Sequence, residues 1–362
     1  MTDLVPNSNY MKKVISGIQQ IGIGNRGVHR LWRWYRENFG MDIGIFEEAA
    51  DAPLMTIYTG GEVQSRHAAL AVNMQGGGGF EIWQFTSREA QPPAFETQLG
   101  DLGLYIAKMK SRDVKKAYEL HKKRGLNLQS ELVNDPNGNP HYYIKDPNGN
   151  LFEVVQGDSW FSNNKHKTGG AYGMVIGVSD MQKSLKLYRD VLEHDQVLYD
   201  ETGTFEDLKG LKGGEGKFRR VLLQNSKPHQ GAFGPLLGNS QFELIQSLDT
   251  PGRKIFQDRY WGDLGFIHLC FDIRNMAALK EECEAAGFPF TVDSANSFDM
   301  GAAAGHFTYI EDPDGAWIEF VETHKVPVME KWGWYLNIKD RAPEKPLPRW
   351  MLSALKFNKV KD

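Results

Sequence analysis

The chain has 362 residues, 41% of them apolar and 24% charged, the make-up of an ordinary soluble globular protein of one large or two smaller domains. Its 42 basic and 46 acidic residues leave a net charge of −4, with no sign of a nucleic-acid partner. No apolar run approaches the roughly 20 residues that span a bilayer. Cysteine is limited to Cys270 and Cys283, and the opening "MTDLVPNSNYMKK" lacks the apolar core of a signal peptide, so the expectation is a cytoplasmic protein without membrane partners.

The first predicted unit opens on a short apolar strand around Gln20. A helix follows, with Leu31, Trp34, Tyr35 and Phe39 at helical spacing. "SRHAALAVN" (65–73) reads as a strand with Arg66 and His67 at its start. "QGGGGF" (75–80) reads as a hairpin loop, since the following "FEIWQF" is a strand and a phosphate cradle needs a helix there. The second unit opens with "LGDLGLYIAKMKSRDV" (99–114), runs through a charged helix ending at Gly125, and turns at "NDPNGN" (134–139). It closes on "YIKDPNGNLFEVVQ" (143–156), where Pro fixes φ and Gly accepts a positive φ.

The third unit repeats the first. "AYGMVIGVSDMQKSLKLYRDVLEHDQVLYDE" (171–201) aligns with "IQQIGIGNRGVHRLWRWYRENFGMDIGIFEE" (18–48), matching Tyr188-Arg189 to Tyr35-Arg36. "QFELIQS" (241–247) aligns with "GFEIWQF" (79–85). The fourth unit repeats the second: "WGDLGFIHLCFDIRNM" (261–276), a helix ending at Gly287, and "YIEDPDGAWIEFVE" (309–322). The expected organisation is therefore four βαβββ modules at 14–95, 96–160, 168–250 and 258–325. A tail at 326–362 carries Trp332, Trp334, Tyr335 and Trp350. Such a tail wraps a domain surface or a dimer contact, or closes over a site as a lid. The chain is expected to be a monomer or a homodimer.

With its fourfold βαβββ order, "LYRDVL"/"WYRENFG" helices and "DPNG"/"DPDG" turns before a Glu-bearing strand, the chain resembles the vicinal oxygen chelate superfamily of glyoxalase I, extradiol dioxygenases and antibiotic-resistance proteins. The resemblance implies an α+β fold in which four modules pair into two cup-shaped half-barrel domains. In that family each module can offer one metal ligand from its first strand and one from its last. The matching positions are Gln20/Glu81, Ile106/Glu153, Gly173/Glu243 and His268/Glu319. Pairing modules in chain order gives two incomplete sites. Pairing first with fourth gives one full set, Gln20, Glu81, His268 and Glu319, and leaves Glu153 and Glu243 faced by Ile106 and Gly173. The full set is similar to that of glyoxalase I and suits one divalent ion of Zn, Ni, Co, Mn or Fe.

By the same resemblance, Glu319 is the base and Glu81 its opposite number. The implied activity is that of an isomerase or lyase acting next to a carbonyl of a small-molecule substrate through a metal-chelated enediolate. Trp83, Phe85 and Trp317 share strand faces with the ligand carboxylates and are expected in an aromatic substrate pocket, although core packing is the plainer role for each. Arg66 is a candidate for a substrate carboxylate, against the plainer reading of a surface arginine. His306 and Tyr309 are residue types that assist extradiol ring cleavage, so a dioxygenase stands as the alternative, and a non-catalytic small-molecule binder as a third.

Overall fold

A computed structural model describes residues 12–295, 298–300, 303–329 and 334–360; for 298–300, 303–304, 326–329 and 334–335 it describes the backbone alone. The first module is β1 (Val14–Gly24), α1 (Val28–Phe39), β2 (Ile43–Asp51), β3 (Ser65–Val72) and β4 (Gly79–Phe85). The second is β5 (Gly103–Ser111), α2 (Val114–Lys123), the short β6 (Asn127–Leu128) and β7 (Val133–Asn134), β8 (Pro140–Lys145) and β9 (Leu151–Gln156). The third is β10 (Thr168–Gly177), α3 (Met181–Leu185), β11 (Gln196–Gly203), β12 (Phe218–Gln224), α4 (Gly234–Leu237) and β13 (Gln241–Ser247). After α3 the helix widens into a π-helical turn at Lys186–Val191. The fourth is β14 (Gly265–Arg274), α5 (Met276–Ala286), β15 (Val292–Asp293), β16 (Phe298–Met300), β17 (Ala303–Glu311) and β18 (Trp317–Met329). The tail adds β19 (Trp334–Asn337) and α6 (Arg349–Ala354).

Two sheets result, and each joins modules that are not paired in chain order. The first runs β15-β17-β18-β14-β1-β4-β3-β2, with β16 on β17 and β19 on β18. The second runs β11-β12-β13-β10-β5-β9-β8-β6, with β7 on β8. Antiparallel β1–β14 seams the first module to the fourth, and antiparallel β5–β10 seams the second to the third. This is a mixed α+β architecture of two strongly curled half-barrel sheets.

Alternation along the strands explains the sides. Ile21 and Ile23 of β1, and Phe80 and Ile82 of β4, point away from the first concave face. They join Phe152, Val154, Met174 and Ile176 of the second sheet and the inner faces of the helices in one continuous core. Gln20, Gly22 and Glu81 are left on the concave side.

The repeated motifs also pin the sheets together. The Tyr35 hydroxyl donates to Asp146 Oδ2 at 2.6 Å, and the Tyr188 hydroxyl to Asp312 Oδ2 at 2.9 Å. Each helix tyrosine of an odd module thus holds the Asp-Pro turn of the even module that follows it in the chain. The turns need glycine at Gly149 and Gly315, where φ is 87° and 91°.

The tail lies on the surface of the first half. Ile338, Leu347 and Leu352 are buried against Ile43, Val72 and Phe161. Trp350 is 62% exposed, Trp332 lies outside the described residues, and the side chains of Trp334 and Tyr335 are not described.

Candidate metal centre

The β14-β1 seam lies between β18 and β4, so four strands bring their side chains to the floor of one cup. Gln20 on β1 stands opposite Cys270 of β14, Glu81 on β4 opposite Gly22, and Glu319 on β18 opposite Cys270. His268 lies two residues before Cys270 and on the same face. Its Nε2 is 3.2 Å from Glu81 Oε2 and 3.1 Å from Glu319 Oε2. Gln20 Nε2 donates to Glu81 Oε2 at 3.3 Å. The ligand atoms of Glu81, His268 and Glu319 lie within 4.8 Å of one another.

Gly22 makes the convergence possible. A Cβ on it would come within 2.5 Å of His268 Cε1, so the imidazole occupies the room that the missing side chain leaves. Trp261 lies parallel to the ring, 6.2 Å away, and the Tyr309 hydroxyl is 3.5 Å from His268 Nδ1.

The polar atoms in this set are not satisfied by one another. Gln20 Oε1, His268 Nε2 and Glu319 Oε2 are all buried with no hydrogen-bond partner of adequate geometry among the described residues. His268 Nε2 and Glu319 Oε2 stand 3.1 Å apart as an ion pair without hydrogen-bond geometry, so the full cost of an unsatisfied buried group, roughly 1–3 kcal/mol, falls on Gln20 Oε1. Two buried carboxylates against one imidazole also leave excess negative charge. Burial and then the neighbouring Glu81 push Glu319 up to about 7, although His268 opposes them. Burial would raise Glu81 as well, but His268, Arg66 and Gln20 outweigh it and hold that carboxyl low. Burial lowers the His268 imidazole, but Glu319 and Glu81 outweigh it and raise its basicity. Two carboxylates, an imidazole nitrogen and an amide oxygen are the donors a divalent cation takes, so the residues fit the ion.

A cleft of about 540 Å³ opens above this floor. Gln20, Glu81, Arg66, Tyr309 and Glu319 all line it. Trp83, Phe85, His306 and Trp317 do not, which corrects their expected place in a substrate pocket. Trp83 packs edge-on against Phe85 and Trp261 at 4.6 and 5.0 Å, and Trp317 packs against Tyr58 and Phe256. Alternation gave the faces of the aromatic residues correctly but not their depth: Trp261 and Gly262 lie against Trp83 and Phe85, and Tyr58 and Phe256 against Trp317. His306 Nε2 pairs with Asp293 at 2.5 Å.

Several cleft residues were missed. A bulge between Ile18 and Gln20 leaves Gln19 on the cleft beside Gln20. Leu236 and Leu237 of α4 reach in from the third module, and Leu355 and Asn358 from the tail. Nothing in the local sequence pattern marks contacts made across modules. A second group, His29, Glu47 and His67, converges on the outer surface; both imidazole Nε2 atoms lie 3.0 Å from Glu47 Oε1.

The glyoxalase/bleomycin resistance protein/dioxygenase superfamily matches residues 17–154 and 173–320. The chain belongs to that superfamily. Its fold is similar to that of glyoxalase I from Zea mays, with 15% identity, a TM-score of 0.50, and 86% of this chain and 92% of that one covered. It is also similar to a putative dioxygenase from Bacillus subtilis, with 12% identity, a TM-score of 0.54, and 97% and 98% covered. No curated protein matches the sequence. At these identities the likeness shows the fold of a superfamily that includes enzymes of both kinds. Its members typically bind a metal. Among the described residues no helix is long and apolar enough to cross a membrane.

Proposed function

We propose that the first cup is the active site of a metal-dependent isomerase or lyase of glyoxalase type, acting on a small molecule at the carbon next to a carbonyl. Gln20, Glu81, His268 and Glu319 would hold one divalent ion. Bound there, it would supply Lewis-acid polarisation of two adjacent substrate oxygens. The observation that carries the reading is the buried cluster of Gln20 Oε1, His268 Nε2 and Glu319 Oε2, none with a hydrogen bond of adequate geometry among the described residues, with Gln20 and Glu319 lining the cleft above and His268 buried beneath it.

Glu81 and Glu319 enter from strands on opposite sides of the β1–β14 seam, so they flank whatever sits at the floor. Glu319 takes the proton from the substrate carbon. Glu319 then delivers that proton to the adjacent carbon, the former carbonyl carbon, while the hydroxyl proton passes between the two substrate oxygens; Glu81, whose carboxyl is held low, stays ionised on the opposite side. Tyr309 and Trp261 hold the imidazole ring in place beneath a cleft whose walls are largely apolar. Ring cleavage by iron takes two imidazoles and one carboxylate. This cup brings one imidazole and two carboxylates, Gly173 stands in the other sheet, and His306 is turned to Asp293. These placements support the non-oxidative reading.

Metal analysis of the purified protein, with solvent deuterium wash-in, tests the proposal. One tight ion per chain is expected, lost in His268→Ala and kept in His67→Ala, the control for the surface group. Deuterium should enter next to the carbonyl of hemithioacetals of 2-oxo aldehydes or of 2-hydroxy ketones. Retention of the ion in His268→Ala with loss in Glu153→Ala would place the metal elsewhere. Oxygen uptake on catechols with iron and no deuterium wash-in would replace the isomerase with a dioxygenase, and indifference to chelators would leave a binder.

A further inference from the structure

The cleft holds one feature that the chemistry at its floor does not use. Arg66 of β3 lies on the concave face, where its neighbours across β4 and β2 are Phe85 and Ala50. Its side chain is 12% exposed and lines the cleft. Nη2 donates to Glu48 Oε1 at 2.7 Å. Nη1 is buried and has no hydrogen-bond partner among the described residues. An arginine fork presents paired donors to a carboxylate, and half of this one is unspent.

The surroundings select what could use it. Most of the cleft wall is apolar, contributed by Ile45, Phe46, Leu70, Phe233, Leu236 and Val321. Leu70 stands opposite Glu81, and Arg66 lies four residues back along the same strand. At about 3.4 Å per residue, the anion and the metal-binding head are separated by up to about 14 Å.

Resting on the metal-centred reading above, we propose that the substrate is an amphipathic carboxylic acid. Its chelating head meets the metal, its apolar body fills the cleft, and its carboxylate is seated on the Arg66 guanidinium. Glu48 is the resting counter-ion that orients Arg66 in the empty cleft.

Calorimetric titration of the metal-loaded protein with suberic monohydroxamate tests this, because that probe joins a two-oxygen chelating head to a methylene chain and a carboxylate. Its methyl ester is the neutral partner, and octanoate is the probe without the head. The acid is expected to bind at least tenfold more tightly than the ester. Arg66→Met should abolish the difference while leaving ester affinity unchanged, and Arg66→Lys should retain part of it. His268→Ala should weaken both hydroxamates alike and leave octanoate dependent on Arg66. Equal binding of acid and ester by the wild type, a preference that survives Arg66→Met, or no binding of either acid at millimolar concentration would overturn the assignment. Hydroxamate binding indifferent to His268→Ala, with the acid preference intact, would instead remove the metal reading and keep the anion site.

Discussion

The two cups begin from the same plan and solve the same electrostatic problem in opposite ways. Glu153 and Glu243 stand in the second cup where Glu319 and Glu81 stand in the first, and all four are buried. In the second cup the chain supplies its own cations. The Lys108 ammonium bonds both carboxylates, at 3.0 Å to Glu243 Oε2 and closer to Glu153 Oε2. Arg220 Nε donates to Glu243 Oε1 at 2.7 Å and bridges on to Asp207, and His141 Nδ1 lies 2.7 Å from Glu153 Oε1. In the first cup the residue matching Lys108 is Cys270, which carries no charge. Buried carboxylates persist only with a counter-charge. One half of the molecule has that charge built in; the other sets one imidazole against two carboxylates, and there we propose that an ion completes the balance.

Removing the built-in cation breaks the comparison most directly. Lys108→Met leaves Glu153 and Glu243 facing each other with only His141 and Arg220 to hold them. The expected loss is about 3 kcal/mol, the lower end for breaking a buried pair, measured by urea denaturation. A loss below about 1 kcal/mol would mean that Lys108 is not what balances the cup. The same variant sharpens the point if divalent metal restores its stability, because Glu153, Glu243 and His141 would then be acting as a ligand set that the lysine normally blocks.

The pH dependence should also divide the halves. Burial lowers the basicity of His141, but Asp207 and Glu153 outweigh it and push its pKa up to about 9 from an unfolded value near 6.5. A raised folded value means that the stabilisation is complete below about pH 6.5 and is lost as pH rises through 9. The stability difference between wild type and His141→Gln should therefore shrink across that window, by up to an amount on the order of 3 kcal/mol. A difference that stayed constant from pH 6 to 9.5 would show that His141 does not hold its proton in the folded state.

Much of this contrast was legible in the sequence. Gln20, Glu81, His268 and Glu319 fall at equivalent places in a repeat, and the second half has Ile106 and Gly173 in place of the amide and the imidazole. The Asp-Pro turns and helix tyrosines were visible too, but not that Tyr35 and Tyr188 reach those turns. Lys108 escaped notice because it sits two residues past Ile106, where the long side chain brings its charge to a position that counting does not reach. Arg220 and His141 come from the middle strands of their modules, which offer no ligand position to inspect. Trp83 and Trp317 were misplaced for a related reason. A strand's alternation tells which side a residue faces but not whether a loop such as the one carrying Trp261 covers it.

Gly22 offers the mildest and most local change. It pairs with Glu81 on the neighbouring strand, as Val175 pairs with Glu243 in the second cup. A valine is accommodated there because no imidazole occupies the space; beside His268 even a methyl group meets the ring at 2.5 Å. Gly22→Ala must therefore turn His268 away from Glu81 and Glu319, at a folding cost of about 1–2 kcal/mol, typical of overpacking. The effect on metal retention should be far larger than that cost, since Nε2 can no longer reach the point the other donors share. Val175→Ala, made as the counterpart, should leave metal content untouched. If Gly22→Ala kept its ion at wild-type affinity, the imidazole would not be among the ligands, and the unpartnered atoms on the floor of the first cup would need another explanation.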